Sequence, residues 1–216
     1  LLAPEEIGNP GMGTTAENLA KKYDITRKEQ DEYSLRSQLR MATAIHEGRF
    51  DEQIVPISIP VRKGEPILFN KDEHPRPNTT LAALAKLSPA FQRDGTVTAG
   101  SSSGLNDAAS AMVIMSREKA EELGIQPLAT IKGSTVAGVD PNIMGIGPVP
   151  ATKKLLEKLN LSLSDMDIIE LNEAFAAQVI ACDRELGIDP EKLNVNGGAI
   201  AHGHPLGATG AILITK

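Results

Sequence analysis

The sequence has 216 residues, of which 41% are hydrophobic and 23% charged, enough for one large domain or two small domains with hydrophobic cores. Its formal net charge is −6 and no run of five basic residues occurs, which disfavours nucleic acid and anionic membranes as partners. No apolar run approaches the ~20 residues of a transmembrane helix, and the first residues do not resemble a secretion signal. Together with a single cysteine, Cys182, this favours a cytoplasmic protein.

The first fifty residues are predicted to be mostly helical. Thr14 and Glu17 have the spacing of a capping box, which predicts the start of a first helix. Thr26 and Glu29 repeat that spacing for a second helix, which is expected to end before Gly48. Residues 51–100 then alternate short apolar pieces with proline and glycine, which predicts an irregular excursion that contains a small helix, LAALAKL.

After Gly104 the pattern becomes a regular alternation of strands and helices. Predicted strands occupy residues 108–116, 127–139, 167–172 and 193–198, and predicted helices occupy 116–124, 151–160, 173–186 and 208–215. This order predicts an α/β protein with a largely parallel or mixed sheet covered by helices.

The glycine-rich segment NVNGGAIAHGHPLGATG, residues 194–210, is the first candidate for a functional site. Pro205 favours an extended conformation at His204, which projects the imidazole from the turn. The helix that follows begins with unpaired N–H groups, which favour a phosphate or a developing oxyanion. The glycine spacing fits neither a P-loop nor a dinucleotide fingerprint. A glycine-rich connection with a surface histidine explains the same residues equally well.

The segment LNEAFAAQ, residues 171–178, is the second candidate. Asn172 ends a predicted strand, where open α/β sheets bind ligands, although an asparagine there also caps helices. The next junction between a strand and a helix carries His204, so both side chains are expected at the same edge of the sheet. TAGSSSGLNDAAS, residues 98–110, fits either a ligand contact or a tight packing turn.

Cys182 is predicted to be a buried core residue and not a nucleophile. It falls on one helical stripe with Phe175, Val179 and Leu186, and no cationic residue adjoins it in sequence to lower its pKa. His202 is expected to be a surface or supporting residue.

Taken in order, GMGTTAEN, SSSGLNDAAS, NEAFAAQ and NVNGGAIAHGHPLGATG resemble the thiolases over nearly the whole chain, and most closely the biosynthetic acetoacetyl-CoA thiolases. The resemblance implies the thiolase fold, with αβαβα layers, present here in part. Residues 1–104 would then form the loop domain and 105–126 the last strand and helix of the N-terminal half. Residues 127–216 would form a truncated C-terminal half.

The resemblance also implies a reversible Claisen reaction that proceeds through an acyl-cysteine, with acetyl-CoA and 3-ketoacyl-CoA as substrates and with no cofactor or metal. His204 would polarise the thioester oxygen, and Asn172 would hold a water that completes the oxyanion hole. Seven residues match positions that contact CoA or the acyl group: Ser103, Ala99, Ala174, Phe175, Met12, Arg76 and Phe91.

The chain departs from the thiolase pattern in its cysteines. The acyl-accepting cysteine is expected upstream of residue 1 and a second cysteine downstream of Lys216, and an arginine usually found after GATGA is missing before Ile212. The 216 residues alone are therefore expected to be inactive, with the missing N-terminal half or a homodimer or homotetramer as partner. The alternatives are a degradative 3-ketoacyl-CoA thiolase and a non-catalytic fragment that binds CoA or an acyl chain.

Overall fold

The computed structural model of the chain describes Pro4, Glu6 and residues 8–216. The helices in this part of the chain are α1 (Met12–Lys22), α2 (Arg27–His46), α3 (Leu81–Leu84), α4 (Arg117–Glu122), α5 (Pro148–Leu159), α6 (Ala176–Leu186), α7 (Ala199–His202) and α8 (Thr209–Thr215). The strands are β1 (Ile57–Ile59) and β2 (Ile67–Phe69). None of the described helices combines the length and the apolar character needed to cross a membrane.

Helix α2 begins and ends where the sequence predicts. The backbone N–H of Glu29 donates to the Thr26 hydroxyl at 3.2 Å, and the Glu29 carboxylate accepts from the backbone N–H of Thr26 at 2.7 Å. This reciprocal pair is the predicted capping box. The helix ends at His46, and Gly48 follows with φ +69°, a conformation that glycine adopts without strain.

The predicted capping box of α1 is wrong. The helix begins earlier, at Met12, so Thr14 and Glu17 lie inside it, and the preceding Gly11 offers no side-chain cap. The Glu17 carboxylate accepts from the backbone N–H groups of Thr96, at 2.9 and 3.0 Å, and of Val97, at 2.9 Å. A tertiary contact with a distant loop therefore uses the carboxylate that the local pattern assigned to the cap.

Helix α6 lies at the centre of the packing, between two clusters of buried residues. One cluster joins it to α1, and the other joins it to α2 and α7. Cys182 belongs to the first cluster with no exposed surface, and burial raises the pKa of its thiol to about 11. The prediction that Cys182 is a buried core residue is confirmed by this lack of exposure. A thiol with a pKa raised by burial forms very little thiolate near neutral pH, which makes it a poor nucleophile.

The predicted sheet is wrong in its extent. Residues 108–116 and 127–139 have no strand partner among the described residues, and their side chains include Val113, 86% exposed, and Val136, 83% exposed. A strand requires a neighbour to accept and donate its backbone hydrogen bonds, and no described segment pairs with these two. The last two predicted strands do run side by side, joined by a parallel bridge between Ile169 and Leu193.

The excursion between residues 51 and 100 forms a small hairpin. Strands β1 and β2 pair antiparallel, with Ile57 opposite Phe69, and both faces of the pair are exposed. Helix α3 follows as predicted, capped by the hydroxyl of Thr80, which accepts from Ala83 N–H at 3.2 Å.

Candidate active site

His204 is held by a turn that the sequence alone did not specify. The unpredicted helix α7 ends at His202, and Gly203 follows with φ +96°. A Cβ on Gly203 would overlap the Asn106 side chain, so this close approach requires glycine. The backbone N–H of His204 donates to the carbonyl of Gly104 at 3.2 Å and to Asn106 Oδ1 at 3.3 Å. The SSSGLND segment therefore fixes the histidine loop through its backbone and through Asn106.

The structure brings together the two residues predicted to be catalytic. Asn172 Nδ2 lies 3.5 Å from His204 Nε2, and His204 Nδ1 lies 2.7 Å from the hydroxyl of Thr209. Burial lowers the pKa of His204, which favours the neutral imidazole. Asn172 Oδ1 is buried without a hydrogen-bond partner among the described residues.

Several of the predicted CoA contacts touch one another around Ala174 and Phe175, which follow Asn172 closely in the chain. The backbone N–H and the hydroxyl of Ser103 both donate to the carbonyl of Ala174, at 3.0 and 3.2 Å. Phe91 meets Phe175 edge to face, with ring centroids 5.7 Å apart. A Cβ on Gly13 would overlap the Phe91 ring, so Phe91 packs on the first turn of α1.

For the other three predicted CoA contacts, Met12, Ala99 and Arg76, the structure shows no hydrogen bond to His204 or Asn172 among the described residues. Met12 is half-buried at the start of α1, and Ala99 is exposed on a short 3-10 turn. Arg76 is exposed, and its backbone N–H donates to Gln38 Oε1 at 2.9 Å. In the part of the chain that the structure describes, no hydrogen bond or ion pair joins Arg76 to His204 or Asn172.

An open cleft lies beside His204. Its volume is about 420 Å³, and it is lined by residues 105–108 and 204–207. Two lining residues, Leu105 and Leu206, are 91% and 73% exposed, and Asn106 adds a half-buried polar side chain to the lining.

A buried carboxylate that the sequence reasoning missed supports the site. Glu173, 1% exposed, accepts four hydrogen bonds. Its Oε1 accepts from the Tyr33 hydroxyl at 2.8 Å and from Asn194 Nδ2 at 3.0 Å. Its Oε2 accepts from the Ser37 hydroxyl at 2.7 Å and from the backbone N–H of Ile200 at 3.1 Å. The feature of the sequence that could have indicated this carboxylate is an acidic residue shortly before an apolar helix, which begins at Ala176.

This network connects α2 and α7 to the residue that follows Asn172. The backbone N–H of Gly198 donates to the Ser37 hydroxyl at 3.0 Å, and a Cβ on Gly198 would overlap the Glu173 carboxylate. Burial, with the neighbouring Glu173 carboxylate as a second cause, raises the pKa of Tyr33 well above its ordinary value, so the phenol stays a hydrogen-bond donor.

His202 is half-buried, with the Nε2 side of its ring turned away from solvent. Its Nε2 is buried without a hydrogen-bond partner in the described residues, and its pKa is lowered to about 4. Burial is the main cause, and the nearby charges of Lys216 and His74 add to it.

Comparison with known proteins identifies the family. The model of the thiolase N-terminal domain matches residues 5–118, and that of the thiolase C-terminal domain matches residues 125–216. A "Probable acetyl-CoA acyltransferase" of Staphylococcus aureus (strain N315) is 57% identical over 205 residues, which are 94% of this chain and 52% of that protein. The chain thus spans about half the length of the curated relatives it matches.

Two solved structures also match nearly all of this chain and about half of their own length. The crystal structure of the Bacillus anthracis acetyl-CoA acetyltransferase matches with a TM-score of 0.93 and 56% identity, covering 96% of this chain and 52% of that one. The crystal structure of human mitochondrial 3-ketoacyl-CoA thiolase matches with a TM-score of 0.88 and 47% identity, covering 99% and 53%. The expected thiolase fold is therefore confirmed for this length of chain, and the chain belongs to the thiolase family.

Proposed function

We propose that this chain provides the His204 and Asn172 part of an active site that transfers acyl groups between CoA and a cysteine, with acetyl-CoA and acetoacetyl-CoA as substrates. The observation that carries the proposal is the 3.5 Å separation between His204 Nε2 and Asn172 Nδ2, with His204 on the wall of an open cleft. The names of the relatives, acetyl-CoA acyltransferase and acetyl-CoA acetyltransferase, support it.

The two side chains suit the charge that develops in this reaction. Removing a proton from the α-carbon of an acyl-CoA moves negative charge onto the thioester oxygen, and N–H donors stabilise that charge. An N–H···O bond places the oxygen about 2.7–3.2 Å from its donor, so one oxygen reaches both nitrogens when these are 3.5 Å apart. A neutral imidazole with its proton on Nε2 and the Asn172 amide, directly or through a water, then form one oxyanion hole.

The nucleophile in this proposal is a cysteine outside the 216 residues. Cys182 does not serve, because its buried thiol has a pKa of about 11. In this proposal Ser103, Ala99 and Met12 contact the pantetheine, and Ala174 and Phe175 line the acyl pocket. Arg76 and Phe91 lie near the CoA nucleotide. The enzyme would need no cofactor or metal and would act in cytoplasmic fatty acid metabolism as a homo-oligomer.

Thiolysis of acetoacetyl-CoA by CoA tests this function. The intact mass of the protein is measured first, because a mass near twice 22.9 kDa identifies a longer chain that can include the cysteines of the proposed reaction. In that form, His204→Asn and Asn172→Ala are each expected to lower kcat by about 10²-fold or more. His46→Asn, on the exposed end of α2, is the control for loss of a histidine. Full activity in both site variants would contradict the proposal.

A degradative 3-ketoacyl-CoA thiolase is the second candidate, supported by the 47% identity to the human mitochondrial enzyme of that name. The ratio of kcat/KM for long-chain 3-ketoacyl-CoA to that for acetoacetyl-CoA separates the two, since a ratio above one favours the degradative enzyme. A third candidate, a non-catalytic CoA-binding fragment, predicts that calorimetric titration of the 216-residue chain with CoA shows binding.

A further inference from the structure

Thr209 occupies a position from which it can control the proton on His204. It is the first residue of α8, and its side chain is buried, 5% exposed. Its hydroxyl oxygen lies 2.7 Å from His204 Nδ1 and 2.9 Å from the carbonyl oxygen of Pro205. A hydroxyl has one proton, so Thr209 can donate to only one of these two acceptors.

Of the two acceptors, only His204 Nδ1 lacks another hydrogen-bond donor. The carbonyl oxygen of Pro205 already accepts from the backbone N–H groups of Ala208 and Thr209, both at 2.9 Å. A carbonyl oxygen has two lone pairs, and these two N–H groups use them. The distance of 2.7 Å to Nδ1 is also the shorter of the two hydroxyl contacts.

We propose that Thr209 is a positioning residue whose hydroxyl donates to His204 Nδ1 and thereby holds the imidazole proton on Nε2, the nitrogen that faces Asn172. In this tautomer, His204 Nε2–H and Asn172 Nδ2–H are two neighbouring donors that can bind the same oxygen atom. Their separation of 3.5 Å exceeds an ordinary hydrogen bond, which fits two donors that await a shared oxygen.

The opposite tautomer would have the opposite chemistry. With the proton on Nδ1, His204 Nε2 would accept from Asn172 and could not donate to a substrate oxygen. The neutral ring carries a single proton, so its location decides whether the site stabilises an oxyanion. The catalytic consequence rests on the proposed function, whereas the tautomer is a property of the chain that is measured without turnover.

Nitrogen NMR of the intact protein, in the form whose mass is measured for the thiolysis assay and labelled with ¹⁵N-histidine, tests the tautomer. The chain has four histidines, and the pair of ring signals lost in His204→Asn identifies His204. We expect Nε2 to carry the one-bond proton coupling and Nδ1 to have the shift of an unprotonated, hydrogen-bonded nitrogen. A proton on Nδ1 in the wild-type chain would overturn the proposal.

The variants separate the hydroxyl from the packing. Thr209→Val keeps the side-chain shape and removes the donor, so Nδ1 protonation should increase, whereas Thr209→Ser should retain the wild-type tautomer. Thr215→Val is the matched control, because Thr215 is also on α8 and its hydroxyl donates to the carbonyl of Ala211 at 3.1 Å. If Thr209→Val does not fold, Thr209→Ala takes its place. Unchanged ring signals in the variant without a hydroxyl would refute the assignment.

An activity measurement then distinguishes this inference from the proposed function. In the thiolase form that turns over, Thr209→Val should lower kcat by about 10 to 100-fold with little change in KM, as when a partner that orients a histidine is lost. If the tautomer changes but the wild type has no thiolase activity, the proposed function fails and the inference stands. If His204→Asn abolishes turnover but Thr209→Val leaves the tautomer of His204 unchanged, the inference fails and the proposed function stands.

Discussion

At the residue scale, Glu173 supports the site although it is not one of the residues that line the cleft. A buried carboxylate without a cation is costly unless hydrogen bonds compensate its lost hydration. Four donors do so here, and no lysine or arginine among the described residues forms an ion pair with it. Because Glu173 follows Asn172 directly, the same bonds limit the positions open to the asparagine.

Replacement of Glu173 by glutamine is expected to destabilise the chain. The amide group keeps the volume but turns one acceptor oxygen into a donor that faces other donors, which costs about 1–3 kcal/mol per unsatisfied group. Urea unfolding of Glu173→Gln measures this loss. Glu157→Gln, on the exposed side of α5, is the control and should leave the unfolding midpoint unchanged. Equal midpoints for both variants would show that the network contributes nothing to stability.

His202 is expected to make stability depend on pH. Its pKa is about 4 in the folded chain and 6.5 in the reference state, so unfolding takes up a proton between these values. The free energy of unfolding should therefore fall as the pH drops from about 6.5 to about 4, with a contribution from His202 of up to about 3 kcal/mol.

The measurement is the slope of unfolding free energy against pH over that range. His202→Asn should flatten the slope relative to the wild type, because the uncharged variant takes up no proton, while the exposed His46→Asn should keep it. An identical slope in the wild type and His202→Asn would contradict the buried, neutral state of this histidine.

At the element scale, the two candidate capping boxes differ in what their side chains contact. Thr26 and Glu29 form a reciprocal capping pair in the first turn of α2, and Glu29 also accepts from Arg184. Glu17 forms no such pair in α1, because its carboxylate bonds with residues 96 and 97. The same four-residue pattern therefore has different energetic roles in adjacent helices.

Thr26→Ala is expected to lower the free energy of unfolding by about 1 kcal/mol, since alanine cannot accept from the N–H of Glu29. Thr14→Ala, inside α1, should change it by less than about 0.5 kcal/mol. Thermal or urea unfolding of the two variants provides the comparison, and an equal loss in both would indicate that Thr14 has a capping role after all.

At the scale of the whole molecule, the segments before and after α4, residues 105–116 and 123–139, expose many apolar side chains. The most exposed apolar side chains in them are Leu105, Val113, Ile114, Leu128, Ile131 and Val136, from 64% to 105%. Exposed apolar side chains on segments whose backbone has no strand partner favour association with other chains.

The 216-residue chain by itself is therefore expected to associate or to precipitate. Sedimentation velocity at increasing concentration should show growing species, and Val113→Lys with Val136→Lys should reduce them by placing charge on the surface that associates. Val55→Lys, at an exposed position of the excursion, is the control. A monomer at all concentrations in the wild-type chain would contradict this expectation.

The sequence by itself determined the features that depend on neighbours along the chain. The capping of α2 by Thr26, the end of that helix before Gly48 and the burial of Cys182 on a helical stripe follow from local hydrogen bonds and periodicity. The motifs around Asn172 and His204 likewise carry enough local information to resemble the thiolases and to predict that these two side chains meet. Their catalytic roles remain predictions.

Only the tertiary structure decided which distant groups complete these local patterns. It directs the Glu17 carboxylate to residues 96 and 97, surrounds Glu173 with donors from α2 and α7, and places the Thr209 hydroxyl against His204. It also leaves the predicted strands at 108–116 and 127–139 without partners among the described residues. The physical reason is common to all of these: a carboxylate, a hydroxyl or a strand edge bonds with whatever the fold brings near it. Sequence spacing specifies individual hydrogen-bond partners only within a turn or two of the same helix.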